Sequence, residues 1–204
     1  MDFANVKSAL EECVSNPKTL ASGDSFLKSF IGKEGFFLHT ATIVTQEGLA
    51  AFQVRSFAGV ILKNFANDYW HTEFISPLEK QQTKELLLTS YAAITNYTLK
   101  NAVARVLAVL AFHEFPNVWE GFLETVAENL GSGEVDVVDA SLRVVIFTIE
   151  RCDDRFHVFL PQLLSSSSAR SHSRRPRPKS AKSHSTHTTS RCEPSHGQTD
   201  WTTS

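Results

Sequence analysis

The fold is decided by residues 52–70, FQVRSFAGVILKNFANDYW. The apolar side chains recur with helical spacing at Val54, Phe57, Ala58, Ile61, Leu62, Phe65 and Tyr69. This spacing places one apolar stripe along an α-helix and leaves polar side chains on the opposite face. Because Ala58 and Gly59 are both small, we expect a neighbouring helix to approach closely at this point.

The same periodicity predicts helices on both sides of this stretch. The predicted spans are 77–94, 97–112, 116–130, 134–151 and 154–164 downstream, and about 6–14, 26–31 and 36–45 upstream. Within the last of these, residues 40–45 (TATIVT) are rich in β-branched residues and therefore have strand propensity. A single strand among helices would have no partner, so we predict a helix there.

Short connections between the predicted helices indicate antiparallel pairs. Residues 102–107 and 140–145 share the frame A-x-x-R-V-aliphatic, 38 residues apart. That distance is close to the ~40–47 residues of HEAT and armadillo helix pairs. The sequence therefore predicts an all-α fold, a HEAT-repeat α-solenoid of about four pairs in a right-handed superhelical stack, over residues 1–164.

Charge divides the chain at the end of this predicted domain. Residues 1–164 contain 13 Lys and Arg against 20 Asp and Glu, a net charge of −7, whereas residues 165–204 contain 7 against 2, a net charge of +5. The second segment is rich in Ser, His and Arg and poor in apolar residues, which predicts a disordered basic tail. An acidic body favours protein partners, and nucleic acid could be bound only weakly through the tail. Residues 174–179 (RRPRPK) leave two further roles open, a nuclear localisation patch and a phosphate-binding arm.

Several classes of protein are disfavoured by the sequence. Cys13, Cys152 and Cys192 are odd in number and widely separated, which argues against a disulfide framework and favours a reducing compartment. The polar N-terminus lacks the features of a signal peptide, and the apolar stretch 102–112 is too short to span a bilayer. No nucleotide-binding or hydrolase motif occurs. We therefore expect a protein that is not an enzyme, binds no cofactor or metal, and does not enter a membrane.

Two polar clusters are candidate chemical sites. One combines a thiol, two carboxylates and an imidazole: Cys152, Asp153, Asp154 and His157. A metal site needs three or four convergent ligands, so we favour helix-capping and surface roles over a metal or thiol site. His113 and Glu114 are likewise expected to form a loop pair and not an acid–base dyad. We expect the nearby aromatic residues to fill the core between repeats: Trp70, Phe112, Phe115 and Trp119.

Arginines recur on the second helix of successive predicted pairs, at Arg55, Arg105 and Arg143. One interpretation is a structural ladder, in which each arginine pairs with a carboxylate or carbonyl of an adjacent repeat. The other is contact with a partner that lies along the surface these helices present.

Three segments resemble the N-terminal region of the importin-β (karyopherin-β) family. Residues 52–65 with Tyr69-Trp70 are similar to the family pattern of Arg, a small residue, aliphatic-Leu-Lys-Asn and a closing Trp. Residues 113–119 (HEFPNVW) resemble the opening of a later repeat, and residues 136–148 look most like the importin-nine subtype. The resemblance covers about residues 1–164. Members of the family continue for many more repeats, so we expect this chain to be truncated and its exposed end to make it marginally stable or self-associating.

The resemblance implies a nuclear transport receptor that acts in protein import and shuttles between cytoplasm and nucleus. It implies binding of the small GTPase Ran in its GTP form, with most of the cargo surface lying beyond this region. The residues carried over as Ran contacts are Arg55, Lys63, Asn64, Asn101 and Arg105. The alternatives are a generic HEAT-repeat scaffold for an unrelated protein and a tether formed by the basic tail.

Overall fold

The computed structural model describes residues 2–16, 26–115, 119, 121–152 and 161, which all lie in one compact unit. The α-helices of this part are α1 Phe3–Ser15, α2 Phe36–Thr45, α3 Phe52–Tyr69, α4 Pro77–Ser90, α5 Tyr97–Glu114, α6 Phe122–Leu130 and α7 Val135–Cys152. A 3-10 turn at Tyr91–Ala93 follows α4. The described residues contain no strand, so the predicted all-α fold is confirmed. None of these helices has both the length and the hydropathy needed to cross a membrane.

The segment with strand propensity is helical, as predicted. In α2 the hydroxyls of Thr40, Thr42 and Thr45 donate to backbone carbonyls four residues earlier, at 2.7, 2.8 and 2.9 Å. The helix therefore satisfies these polar groups even where Thr40 and Thr45 are buried. Burial against neighbouring helices outweighs the intrinsic preference of β-branched residues for strands.

Other predicted boundaries were less accurate. The predicted helix at 26–31 is helical only over 26–28 and continues as turns. The helix expected to open at Pro116 begins at Phe122, after Gly121 in a left-handed conformation (φ 80°). Three parts of the prediction lie outside the described residues: Pro116, the helix at 154–164 apart from Pro161, and the tail.

The helices pack as three successive pairs, α2/α3, α4/α5 and α6/α7. Helices α3, α5 and α7 lie side by side, and we call them the second-helix row. Helix α2 packs on α3 and α4, and α1 packs on α2 and α3. The contacts of Asn101 with Arg143 and of Arg105 with Phe147 both join residues 42 positions apart. This constant offset means that α5 and α7 run in the same direction.

Helices α3 and α5 approach closely at Gly59, as predicted from the small residues there. A Cβ atom added to Gly59 on α3 would lie 2.9 Å from Cβ of Ala102 on α5, nearer than real Cβ atoms come. Glycine therefore allows two helix backbones to pack at a distance that alanine would prevent.

One buried carboxylate caps a neighbouring helix. Glu79, on the first turn of α4, accepts hydrogen bonds from the backbone N–H groups of Gly35 (3.0 Å), Phe37 (2.8 Å) and Leu38 (3.4 Å). The N-cap of α2 is Gly35, which has no side chain that could cap the helix. Glu79 thus supplies from another helix pair the acceptors that the N-terminus of α2 lacks.

A second buried polar group joins α3, α4 and α5. Trp70 donates its indole N–H to Glu114 at 2.6 Å, and the same carboxylate accepts a hydrogen bond from Lys84. The prediction that His113 and Glu114 form a loop pair was wrong, because both residues end α5 and Glu114 holds buried partners. The predicted core aromatics are buried, with Trp70 1% exposed and Phe115 and Trp119 below 10%, while Phe112 is half-buried.

Helix α7 carries a second apolar face, opposite the one packed on α5 and α6. Val135, Leu142 and Ile146 lie on this face and are 82%, 48% and 50% exposed. Val138 and Ile149 belong to the same side by helical spacing and are half-buried. The second-helix row therefore ends, within the described residues, on an aliphatic surface.

Candidate partner-binding groove

The second-helix row forms a groove at the C-terminal halves of its three helices. Its volume is about 580 Å³. The side chains that line it are mostly polar or charged: Lys28, Lys63, Asn64, Asn67, Asp68, Arg105, Glu150 and Arg151, with Phe65, Ala108, Val109 and Phe147 as the apolar part. A groove of this composition suits a polar protein surface better than an apolar ligand.

Three of the five residues predicted to contact a partner line this groove. Lys63 and Asn64 come from α3, and Arg105 comes from α5. Lys63 is half-buried, whereas Asn64 and Arg105 are exposed. The structure therefore brings these three side chains to one surface, although 41 residues of sequence separate Asn64 from Arg105.

Arg55 lies elsewhere and has a structural role. It is only 8% exposed and donates to the carbonyl oxygen of Val44 through Nε (3.3 Å) and Nη2 (2.9 Å), with a longer contact to that of Thr45 (3.5 Å). Both carbonyls belong to the last turn of α2, where helical hydrogen bonding leaves acceptors unused. Arg55 thereby fastens α3 to α2 within its own helix pair, whereas the predicted ladder would join it to an adjacent pair.

Asn101 is half-buried and supports a neighbouring arginine. Its Oδ1 accepts a hydrogen bond from Nη1 of Arg143 at 2.7 Å. Arg143 also donates to both carboxylate oxygens of Asp139, through Nε at 3.0 Å and Nη2 at 2.8 Å, and lies 4.3 Å from the ring centroid of Tyr97. Asn101 and Arg143 thus form a polar link between α5 and α7.

The charge of Arg143 alters the titration of its partners. Its hydrogen bonds lower the pKa of Asp139, with Lys100 as a further cause. The neighbouring Arg143 and Asn101 side chains lower the pKa of Tyr97. In return Asp139 raises the pKa of Arg143. The shifts of Asp139 and Arg143 both favour the charged pair, so the link stays ionised near neutral pH.

Arg105 is held by an aromatic ring instead of a carboxylate. Its guanidinium carbon lies 4.1 Å from the centroid of the Phe147 ring on α7. The predicted ladder of arginines is therefore only partly realised: Arg55 bonds to carbonyls of its own pair, Arg143 bonds to Asp139 and Asn101, and Arg105 stacks on Phe147. Each of the three arginines has a different kind of partner.

Further contacts of Arg151 and His113 were not predicted from the sequence. Arg151 donates to the side chain of Asn67 and lies 5.0 Å from the ring centroid of Phe112. His113 stacks on His71 with ring centroids 5.7 Å apart. Burial lowers the pKa of His113, followed by repulsion from His71 and Arg151. Among the groove residues, Asn67, Phe147 and Arg151 were not predicted. To predict them would require the offset of 42 residues between contacting helices, and the sequence repeat gives 38.

Of the polar cluster at residues 152–157, the structure describes only Cys152. Cys152 is buried at the end of α7, and Asp153, Asp154 and His157 lie outside the described residues. Within the described ranges no three His, Cys, Asp or Glu side chains converge as metal ligands.

Solved structures that share this fold include an exportin and a chain of a Kap95 complex. The exportin Cse1 in its cargo-free, cytoplasmic state matches with a TM-score of 0.65 and 17% identity, over 81% of this chain and 20% of that chain. A chain of the Kap95:Nup1 complex matches with a TM-score of 0.70 and 22% identity, over 81% of this chain and 21% of that chain. This chain therefore spans about a fifth of the length of either. Both likenesses define the class of fold, an all-helical α-solenoid.

A family model matches a shorter part of the chain than the solved structures do. Residues 24–93 match the model described as the importin-beta N-terminal domain. That range contains α2, α3, α4 and the 3-10 turn, together with Lys63 and Asn64 of the groove. Residues 24–93 are therefore similar to the N-terminal domain of the importin-β family, as the resemblance predicted. The importin-nine subtype stays a prediction.

Proposed function

We propose that the described helices form a Ran-GTP-binding module of a nuclear transport receptor that acts in protein import. The observation that carries the proposal is the match of residues 24–93 to the importin-beta N-terminal domain. The groove supports it, because it gathers Lys63, Asn64 and Arg105 on one accessible surface.

In this proposal the five predicted residues divide into two roles. Lys63 and Arg105 supply charge and Asn64 supplies an amide to the surface of the GTPase. Arg55 and Asn101 act at a distance, Arg55 by joining α2 to α3 and Asn101 by fixing Arg143 between α5 and α7. Loss of either positioning residue should therefore lower stability together with binding.

The remaining parts of the function follow from the family and are proposed with it. Import cargo would be bound mainly by further repeats, because this chain spans about a fifth of the solved chains it resembles. The protein would shuttle between cytoplasm and nucleus and catalyse no reaction.

The test is capture of Ran by the purified full chain, with Ran loaded either with GDP or with a non-hydrolysable GTP analogue. We expect capture of the GTP form alone. Lys63→Glu and Arg105→Glu should each weaken capture at least about tenfold, since reversing an interface charge costs more than about 1.4 kcal/mol. Lys7→Glu is the matched control, because Lys7 lies on α1, outside the groove, and pairs with Glu11 at 3.7 Å.

Equal capture of both nucleotide forms, or capture of neither, would favour a generic HEAT-repeat scaffold. Capture that persists in residues 165–204 alone and falls steeply with salt would instead favour a tether formed by the basic tail.

A further inference from the structure

Most cations of the described helices have a partner within the chain. Acceptor oxygens are bound by Arg55, Lys80, Lys84, Lys100, Arg143 and Arg151. Lys63 and Arg105 differ, because no acceptor oxygen of the described residues lies within hydrogen-bond or ion-pair distance of either side chain. Both line the groove, in a part of the chain whose net charge is negative. Unpaired cations on an acidic body mark a place where an external anion would be favoured.

The stacking of Arg105 determines how it can bind an anion. Phe147 covers one face of the guanidinium at 4.1 Å. Stacking on an aromatic face leaves the N–H groups at the edge of the guanidinium available, and these can form a bidentate pair with a carboxylate. The ring also limits the conformations of an exposed side chain, which reduces the entropy lost on binding.

Charge is unevenly distributed along the groove. On α3, Asp68 follows Lys63 by five residues, about 7.5 Å along the helix axis at a rise of ~1.5 Å per residue. On α7, Glu150 follows Phe147 by three residues and is exposed. The groove therefore has a cationic end at Lys63 and Arg105 and a mixed end that includes two carboxylates.

We propose that the cationic end binds an acidic segment of a protein partner, with Asp or Glu carboxylates held by Lys63 and Arg105. Phe147 is the positioning residue that orients Arg105. A nucleic acid fits less well, because its evenly spaced phosphates would meet Asp68 and Glu150 at the other end. The inference rests on the proposed function in using the same groove, and it adds the chemistry of the partner.

The test is binding of a fluorescein-labelled oligoglutamate peptide to the full chain, followed by fluorescence anisotropy at low ionic strength. Arg105→Gln and Lys63→Gln should each weaken binding about fivefold. Glu150→Gln should tighten it, because a repelling carboxylate is removed from the groove. Lys7→Gln, with the same loss of charge on α1, should change nothing. Melting curves for every variant establish that it is folded.

Phe147 is tested separately, because its replacement leaves the charge of the protein unchanged. Phe147→Leu should weaken peptide binding while the dependence of affinity on salt keeps its slope, and Phe147→Tyr should restore it. A merely structural role would lower the melting temperature of Phe147→Leu without a change in affinity.

The proposal is overturned if Arg105→Gln and Lys63→Gln bind the peptide as the wild type does, or if a single-stranded oligonucleotide binds the groove more tightly. Failure of the proposed function is distinguishable. If the peptide binds but Ran is not captured in a nucleotide-dependent way, the acidic-segment inference stands and the proposed function fails. If Ran is captured but the peptide does not bind, the proposed function stands and the inference fails.

Discussion

Replacing Gly59 by alanine sets two physical effects against each other. Inside a helix, alanine is more favourable than glycine by about 0.8–1.0 kcal/mol. At this position, however, the added Cβ would lie 2.9 Å from Cβ of Ala102 and 3.8 Å from Val44 Cγ1. Propensity alone therefore predicts a more stable protein, and close packing of α3 on α5 predicts a less stable one.

The magnitude follows from the separation that the helices would need. Carbon atoms attract best at about 3.5–4.0 Å, so α3 and α5 must move apart by roughly 0.6–1.1 Å at this contact. Overpacking of this kind costs about 1–3 kcal/mol. After subtraction of the propensity gain, Gly59→Ala should lower the free energy of unfolding by about 1 kcal/mol, or the melting temperature by about 2–4 °C.

The assay is urea unfolding of the full chain followed by far-ultraviolet circular dichroism. Ala102→Gly completes a double-mutant cycle, because it removes the opposing Cβ. We expect Ala102→Gly to be less damaging in the Gly59→Ala background than in the wild type. A Gly59→Ala protein that is more stable by the full propensity increment, with no coupling to Ala102, would refute the close approach.

Three further outcomes follow from particular contacts. Glu79→Leu should lower the free energy of unfolding by about 1–3 kcal/mol, because three backbone N–H groups lose their acceptor; Glu79→Gln, which keeps an acceptor oxygen, should cost less in the same urea titration. The lowered pKa of His113 means that the unfolded chain binds the proton more tightly than the folded chain. The contribution of neutral His113 to the free energy of unfolding should therefore be fully present above pH 6.5 and fall as the pH drops below it. In His113→Asn this pH-dependent component should be absent from melting curves taken across that range. The exposed aliphatic face of α7 should drive self-association, so sedimentation velocity should show concentration-dependent species that Leu142→Glu or Ile146→Glu disperses, and a wild-type monomer at every concentration would contradict this.

Local patterns predicted most of the helices because their information lies within a few turns. The stripe from Val54 to Tyr69 corresponds to α3, and the close approach at Gly59 was visible as a small residue on that helix. The start of α6 was misplaced because proline and glycine both punctuate this stretch, and the helix follows Gly121. Local spacing identifies an amphipathic helix more securely than it identifies the residue at which the helix begins.

The groove was only partly predictable. A family resemblance predicted Lys63, Asn64 and Arg105 as partner contacts. Nothing in the sequence distinguished them from Arg55, which is also basic and lies on the same helix as Lys63. Phe147 and Arg151 were missed altogether, because their importance arises from contacts with α5 and α3.

The sequence by itself determined that the described part of this chain folds into amphipathic helices with a polar face. Only the tertiary structure decided which polar side chains on those faces are satisfied and which are left for a partner. The physical reason is that periodicity is a local property, whereas hydrogen bonds across helices depend on register. A register of 42 residues places Arg143 beside Asn101 and Arg105 against Phe147, and so leaves the donors of Arg105 free of any carboxylate in the described chain.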